Sequence, residues 1–180
     1  MDELVRAALK KWPSVPHCYG WLALDARGDW YMRDDRVQRA GPFPKVKGSR
    51  IRHDKLQEFI HRNYEADAQG CWFFQNGPQR VYVELEAAPL IWRVMWQGDE
   101  LSVTAHTGRD ATRIEPWLDD TGRLYLGTEL GFGIVHSQDM IDASRAIEAG
   151  LWAPRDLPFA QMPARFRYVL SPQQLQTPAA

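Results

Sequence analysis

Three times in this chain an aspartate is followed three residues later by a glycine, then by one spacer and a strand-forming pair. The copies are Asp25-Ala26-Arg27-Gly28-Asp29-Trp30-Tyr31, Asp67-Ala68-Gln69-Gly70-Cys71-Trp72-Phe73 and Asp119-Asp120-Thr121-Gly122-Arg123-Leu124-Tyr125. An aspartate carboxylate can accept a hydrogen bond from the backbone two residues on, and glycine takes the positive φ that closes a type I turn into a bulge. Each copy therefore reads as a tight turn feeding a strand. The three are unevenly spaced, too irregular for a solenoid or propeller and compatible at most with a faint duplication of a small β-subdomain.

Other runs fill in the elements. Leu4, Val5, Ala8, Leu9 and Trp12 recur at helical spacing, with Asp2 and Glu3 before them and Lys10 and Lys11 after, an order that suits the helix dipole. Residues 54–64 repeat the helical pattern, with Leu56, Phe59, Ile60 and Asn63 on one face. If that helix ran a turn further, Gly70 would be its C-terminal glycine rather than a hairpin residue. Val81, Val83 and Leu85 alternate with Tyr82, Glu84 and Glu86, as on a half-buried strand, and Leu90, Trp92, Val94 and Trp96 alternate next. Residues 101–105 read as the partner strand across a Gln97-Gly98 turn. Short strands follow at 124–127 and 132–135, and then a helix that begins at Ser137 and ends at Gly150. Residues 166–170 read as one more strand.

These readings predict an α+β protein, mainly antiparallel hairpins and meander with packed helices. Residues 1–170 form one domain, with room for two small β-subdomains. Residues 171–180, rich in Pro and Gln, read as a disordered tail.

Composition restricts the function classes. A net charge of −1 leaves no electrostatic footprint for nucleic acid or anionic lipid, and no run of apolar residues is long enough for a membrane helix. Cys18 and Cys71 stand far apart with no metal-ligand spacing, which favours a reducing cytoplasm. Eight tryptophans could serve a core or a stacking face. Trp92 and Trp96 share a face with Val94, which favours core.

Five histidines, His17, His53, His61, His106 and His136, invite a metal hypothesis, but none makes an HxH, HxxxH or HExxH pair. His53 and His136 instead stand just before expected helices. Cys18 lacks a base on its own strand face, and Cys71 reads as a small buried hydrophobe. Residues 127–133 are glycine-rich but match neither phosphate-loop pattern. Glu84 and Glu86 share a strand face and read as surface glutamates rather than a catalytic pair.

Residues 67–74, residues 77–89, the Gly28-Asp29-Trp30 turn and the His106-Thr107-Gly108 step together resemble an uncharacterised proteobacterial family defined only as a domain of unknown function. The similarity spans roughly residues 20 to 136 and implies no activity, cofactor or site residue. The leading expectation is a non-catalytic cytosolic protein that binds a protein or small ligand, with no cofactor, metal, nucleic acid or membrane partner. The alternative is a small hydrolase-like or metal-dependent enzyme using His106, Asp110 and His136.

Overall fold

All three aspartate turns form as their spacing demands. The structure, a computed structural model, describes residues 3–176. Gly28, Gly70 and Gly122 have φ of 83°, 83° and 78°. The amide N–H four residues on donates to each carboxylate: Asp29 to Asp25 at 3.0 Å, Cys71 to Asp67 at 3.0 Å and Arg123 to Asp119 at 2.9 Å. A feature that spacing does not show is the tyrosine on the second oxygen. Tyr31 donates to Asp25, Tyr82 to Asp67 and Tyr125 to Asp119, at 3.1, 3.0 and 3.2 Å. Ala105 to Arg109 makes a fourth loop of the same backbone pattern with no aspartate, closed by Gly108 at φ 82°.

The chain begins with helix α1 (Glu3–Lys11), strands β1 (Cys18–Leu24) and β2 (Trp30–Met32), helix α2 (Asp35–Ala40), strand β3 (Ser49–Arg50) and helix α3 (Asp54–Arg62). Strands β4 (Tyr64–Ala66), β5 (Trp72–Asn76), β6 (Gln79–Leu85), β7 (Leu90–Gln97) and β8 (Glu100–Ala105) follow. Then come β9 (Glu115–Leu118), β10 (Leu124–Thr128), β11 (Gly131–Val135), α4 (Met140–Glu148), β12 (Arg155–Asp156), α5 (Met162–Phe166) and α6 (Pro172–Gln176). Because β4 separates α3 from the Asp67 turn, Gly70 is a hairpin glycine.

The architecture is α+β, built on two six-stranded sheets ordered β3-β2-β1-β6-β5-β4 and β12-β9-β10-β11-β7-β8. The contacts divide the chain into two units. One holds the chain up to Asp25, residues 29–86 and the segment from Tyr168 on; the other holds residues 26–28 and 87–167. Most pairings are antiparallel, but both sheets are mixed. β1 runs parallel to β6, and β7 and β9 run parallel to β11 and β12.

The second unit repeats the first in topology. An antiparallel pair (β1–β2, then β7–β8) is followed by a three-stranded meander (β4–β5–β6, then β9–β10–β11). The last strand of each meander lies parallel to the first strand of its pair. The Asp67 and Asp119 turns occupy the same joint, between the first two meander strands, 52 residues apart. The Asp25 turn closes the other hairpin, whose counterpart uses Gly98 at φ 63°. The uneven spacing thus contains one true repeat interval and one different joint.

Each unit has its own core. Ala23, Leu24, Trp30, Ile60 and Val83 fill the first; Ile91, Trp92, Tyr125, Leu126 and Ala146 fill the second. The Trp30 indole N–H donates to His61 Nε2 at 2.9 Å, so that ring accepts in its neutral form. Two histidines cap helix starts: His53 Nδ1 accepts from Leu56 N–H and His136 Nδ1 from Gln138 N–H.

Two expectations at the C-terminal end are corrected. Residues 166–170 are not a strand, because Phe166 closes α5 and the chain turns at Arg167 (φ 54°, ψ 53°). The expected disordered tail contains α6 over Pro172–Gln176; residues 177–180 lie outside the described residues. The Ser171-Pro172 start signal, an N-cap followed by proline at the first helical position, outweighs the polar composition.

Asp119 offers a direct test of the turns. Burial pushes its pKa up, but the Arg123 N–H, the Thr121 hydroxyl, the Arg123 guanidinium and the Thr121 N–H together bring it down to about 2. Stability from a carboxylate held this low is complete above the ordinary value near 4 and is lost as pH falls through about 2. Urea unfolding of Asp119→Ala should show a loss of about 2 kcal/mol or more at pH 7, and the gap from wild type should shrink toward pH 2. A gap that does not change with pH would refute the charge-based account.

Candidate functional site

Two buried charged residues, Glu84 and Arg33, mark one place in the first unit. β6 is flanked by strands on both sides, and from Tyr82 to Leu85 it is buried on both faces. Glu84, expected at the surface, is only 3% exposed. What covers it comes from the far end of the chain. The Ser171 hydroxyl donates to Glu84 Oε2, and Gln173 N–H donates to Oε1 at 3.0 Å. Ser171 Oγ also accepts from Gln174 N–H at 3.3 Å, capping α6. Glu86 does not pair with Glu84; its Oε2 meets Lys47 Nζ at 3.0 Å, and the same ammonium meets Asp25.

Arg33, just past β2, is 1% exposed. Its guanidinium donates to three backbone carbonyls: Gly41 at 2.7 Å, Val46 at 3.2 Å and Gly20 at 3.4 Å. The side chain therefore pins the loop after α2 to β1. Burial lowers its pKa, and the charge of Glu84, acting through space, raises it. In turn, burial raises the pKa of Glu84 against the opposing pull of Ser171, Gln173 and Arg33.

Next to these residues, joined to them through Gln38 and Gln173, lies an open polar pocket of about 360 Å3, lined by Asp35, Gln38, Arg39 and Gln173. Two amides organise it. Gln38 Nε2 donates to the Arg33 carbonyl at 2.9 Å, and Gln173 Nε2 donates to Gln38 Oε1 at 2.8 Å. Gly20 (φ 77°) lies directly beneath. A Cβ there would come within 2.5 Å of the Gln173 amide and 2.6 Å of Gln38 Oε1. The pocket thus presents one carboxylate, one guanidinium and two oriented carboxamides, groups suited to binding a polar partner by hydrogen bonds.

The residues singled out in the sequence lie in the second unit, each in a structural role. His106 follows β8, and its Nδ1 accepts from the Ile91 N–H at 3.2 Å. Asp110 accepts from the Thr104 hydroxyl at 2.7 Å and bridges to the same strand. His136 follows β11 and its N–H donates to the Trp92 carbonyl. β7 lies between β8 and β11, so the two histidines belong to opposite flanks of one strand, separated by about 10 Å of sheet. Among the described residues, no three His, Cys, Asp or Glu side chains are grouped to hold a metal ion. Sequence reasoning missed Arg33, Gln38 and Gln173. Asp34, which caps α2 by accepting from Val37 N–H, was the one local signal for that region.

The model of the DUF2944 family, described as "Protein of unknown function (DUF2946)", matches residues 1–176. The chain belongs to this family. No curated protein matches it significantly. Two crystal structures match, the first of them similar in fold. One is a DUF1285 family protein from Silicibacter pomeroyi DSS-3, 14% identical, covering 82% of this chain and 84% of that one with a TM-score of 0.51. The other is a DUF1285 family protein from Shewanella baltica OS155, 17% identical, covering 69% of this chain and 91% of that one with a TM-score of 0.46. The expected resemblance to a proteobacterial family without assigned function agrees with these matches, which bring no catalytic residue to the DUF2944 chain. Among its described residues no helix is long and apolar enough to cross a membrane.

The buried charges predict two measurable effects. Arg33→Met should cost about 3 kcal/mol, because three inward carbonyls lose their donor. Glu84, with its folded pKa raised, contributes most to stability below the ordinary carboxylate pKa; that contribution declines as pH rises through the folded value. Wild type should therefore lose ground to Glu84→Gln between pH 4 and pH 7 in denaturant melts. A constant difference over that range would show that burial does not perturb this carboxyl group.

Proposed function

We propose that the protein is a non-catalytic binding module whose ligand site is the polar pocket of the first unit. The observation that carries this reading is the buried carboxyl group of Glu84, bonded to the backbone of the pocket residue Gln173, together with buried Arg33, whose backbone carbonyl holds the pocket residue Gln38. Burying a charge is costly, and such an investment beside a cavity is typical of a site. The carboxamides of Gln38 and Gln173 and the exposed charges of Asp35 and Arg39 favour a polar partner, bound by hydrogen bonds and not transformed. The structural bonds made by His106, Asp110 and His136 support the non-catalytic side of the proposal. Two free thiols, Cys18 and Cys71, fit a reducing cytoplasm as its place of work, and the near-neutral charge disfavours nucleic acid as the partner.

Native mass spectrometry of the protein purified without denaturation tests the proposal. The expected result is a non-covalent polar adduct that is lost in Gln38→Leu and Arg39→Glu, with both variants keeping the wild-type melting temperature within a few degrees. An adduct that persists undiminished in both variants would remove the pocket from consideration.

A further inference from the structure

The wall of the pocket that carries Gln173 is not part of the unit's continuous chain. The backbone leaves the first unit after Glu86 and returns only at Tyr168, so residues 168–176 reach the β1–β6 sheet as a separate segment. They are held as a bound peptide is held. Val169 N–H donates to the Gly70 carbonyl at 3.1 Å, and Leu85 N–H donates to the Leu170 carbonyl at 2.8 Å. Tyr168 and Pro172 are buried. Two specific polar contacts follow. Glu84 takes the hydroxyl of Ser171 and the N–H of Gln173, and Gln38, over the missing side chain of Gly20, takes the Gln173 carboxamide. The segment begins just after Arg167, the one non-glycine among the described residues with a positive φ. That left-handed residue caps α5, its N–H donating to the Pro163 carbonyl, and turns the chain from the second unit's last helix into the segment.

We propose that residues 168–176 are a displaceable ligand held in cis, and that the groove they fill takes in trans a peptide of the same chemistry, non-helical up to its serine and helical after it, as residues 168–171 and α6 are here. That peptide carries a hydroxyl residue followed two positions on by a carboxamide, the Ser-x-Gln pattern of Ser171-Pro172-Gln173. Backbone pairing supplies affinity; the Glu84 carboxylate and the Gln38–Gly20 notch supply the choice of side chains. The cis segment competes with any trans peptide, so free groove is the small fraction of molecules whose own segment has lifted. This inference rests on the pocket reading above, because the segment in the groove supplies Gln173, one wall of that pocket.

The test uses the full chain and a fluorescein-labelled synthetic peptide, YVLSPQQLQ, followed by fluorescence anisotropy. In the double variant Ser171→Ala, Gln173→Ala the cis segment loses its two polar side-chain contacts, to Glu84 and Gln38, while the groove residues are unchanged. This variant should bind the peptide at least about tenfold more tightly than wild type, as expected when a competitor is weakened. A peptide with alanine at its serine and first glutamine should bind at least about tenfold more weakly to the same variant. Adding Gln38→Leu or, separately, Glu84→Gln to the double variant should reduce that discrimination, since each changes the groove partner of one of the two side chains; two groove changes are used so that one poorly folded variant does not decide the matter. Equal binding by wild type and the double variant, or equal binding of both peptides, overturns the proposal. A small-molecule adduct at the pocket together with either of those outcomes would sink the peptide inference and leave the pocket reading standing. Absence of the adduct with discriminating peptide binding would do the reverse for the nature of the ligand.

Discussion

A carboxylate that folds back on the amide groups of its own turn fixes the hairpins on which both sheets are hung. The two Asp119 oxygens take bonds from two backbone N–H groups, a hydroxyl, a guanidinium and a tyrosine. Such a group cannot be protonated, or replaced by an apolar side chain, without leaving several donors unsatisfied in the interior. The tyrosine matters as much as the turn. Tyr31 and Tyr125 lie on the returning strand of their own hairpins, whereas Tyr82 reaches Asp67 from the next strand across. One local device therefore sets both the hairpin register and, at Asp67, the placement of the third meander strand.

That register determines what β6 and β7 can become. In each unit the meander ends beside the first strand of the leading pair and runs parallel to it, which places an inner strand between two neighbours. Parallel pairing is ordinarily found where both faces are covered. β6 follows this rule, since Val83 and Leu85 face one core while Tyr82 and Glu84 are covered on the other side. A glutamate there is tolerated only because Ser171 and Gln173 bring it two donors. The buried charge and the returning C-terminal segment thus depend on each other. The polar pocket above them is a consequence of that mutual requirement.

What the sequence by itself determined was set by neighbours along the chain. The Asp-x-x-Gly turns, the histidines at helix starts, the helix from 54 and the alternation of β7 all depend on contacts within a few residues. Spacing and residue type are sufficient for those. Only the tertiary structure decided that Glu84 is buried, that Arg33 is a buried guanidinium, and that residues 172–176 are an ordered helix. An alternating strand such as residues 81–86 shows which side chains share a face but not what covers it. The cover here lies 87 and 89 residues away in sequence. No local pattern around Glu84 carries that information, because burial of a charge is settled by whichever distant donors the folded chain brings to it.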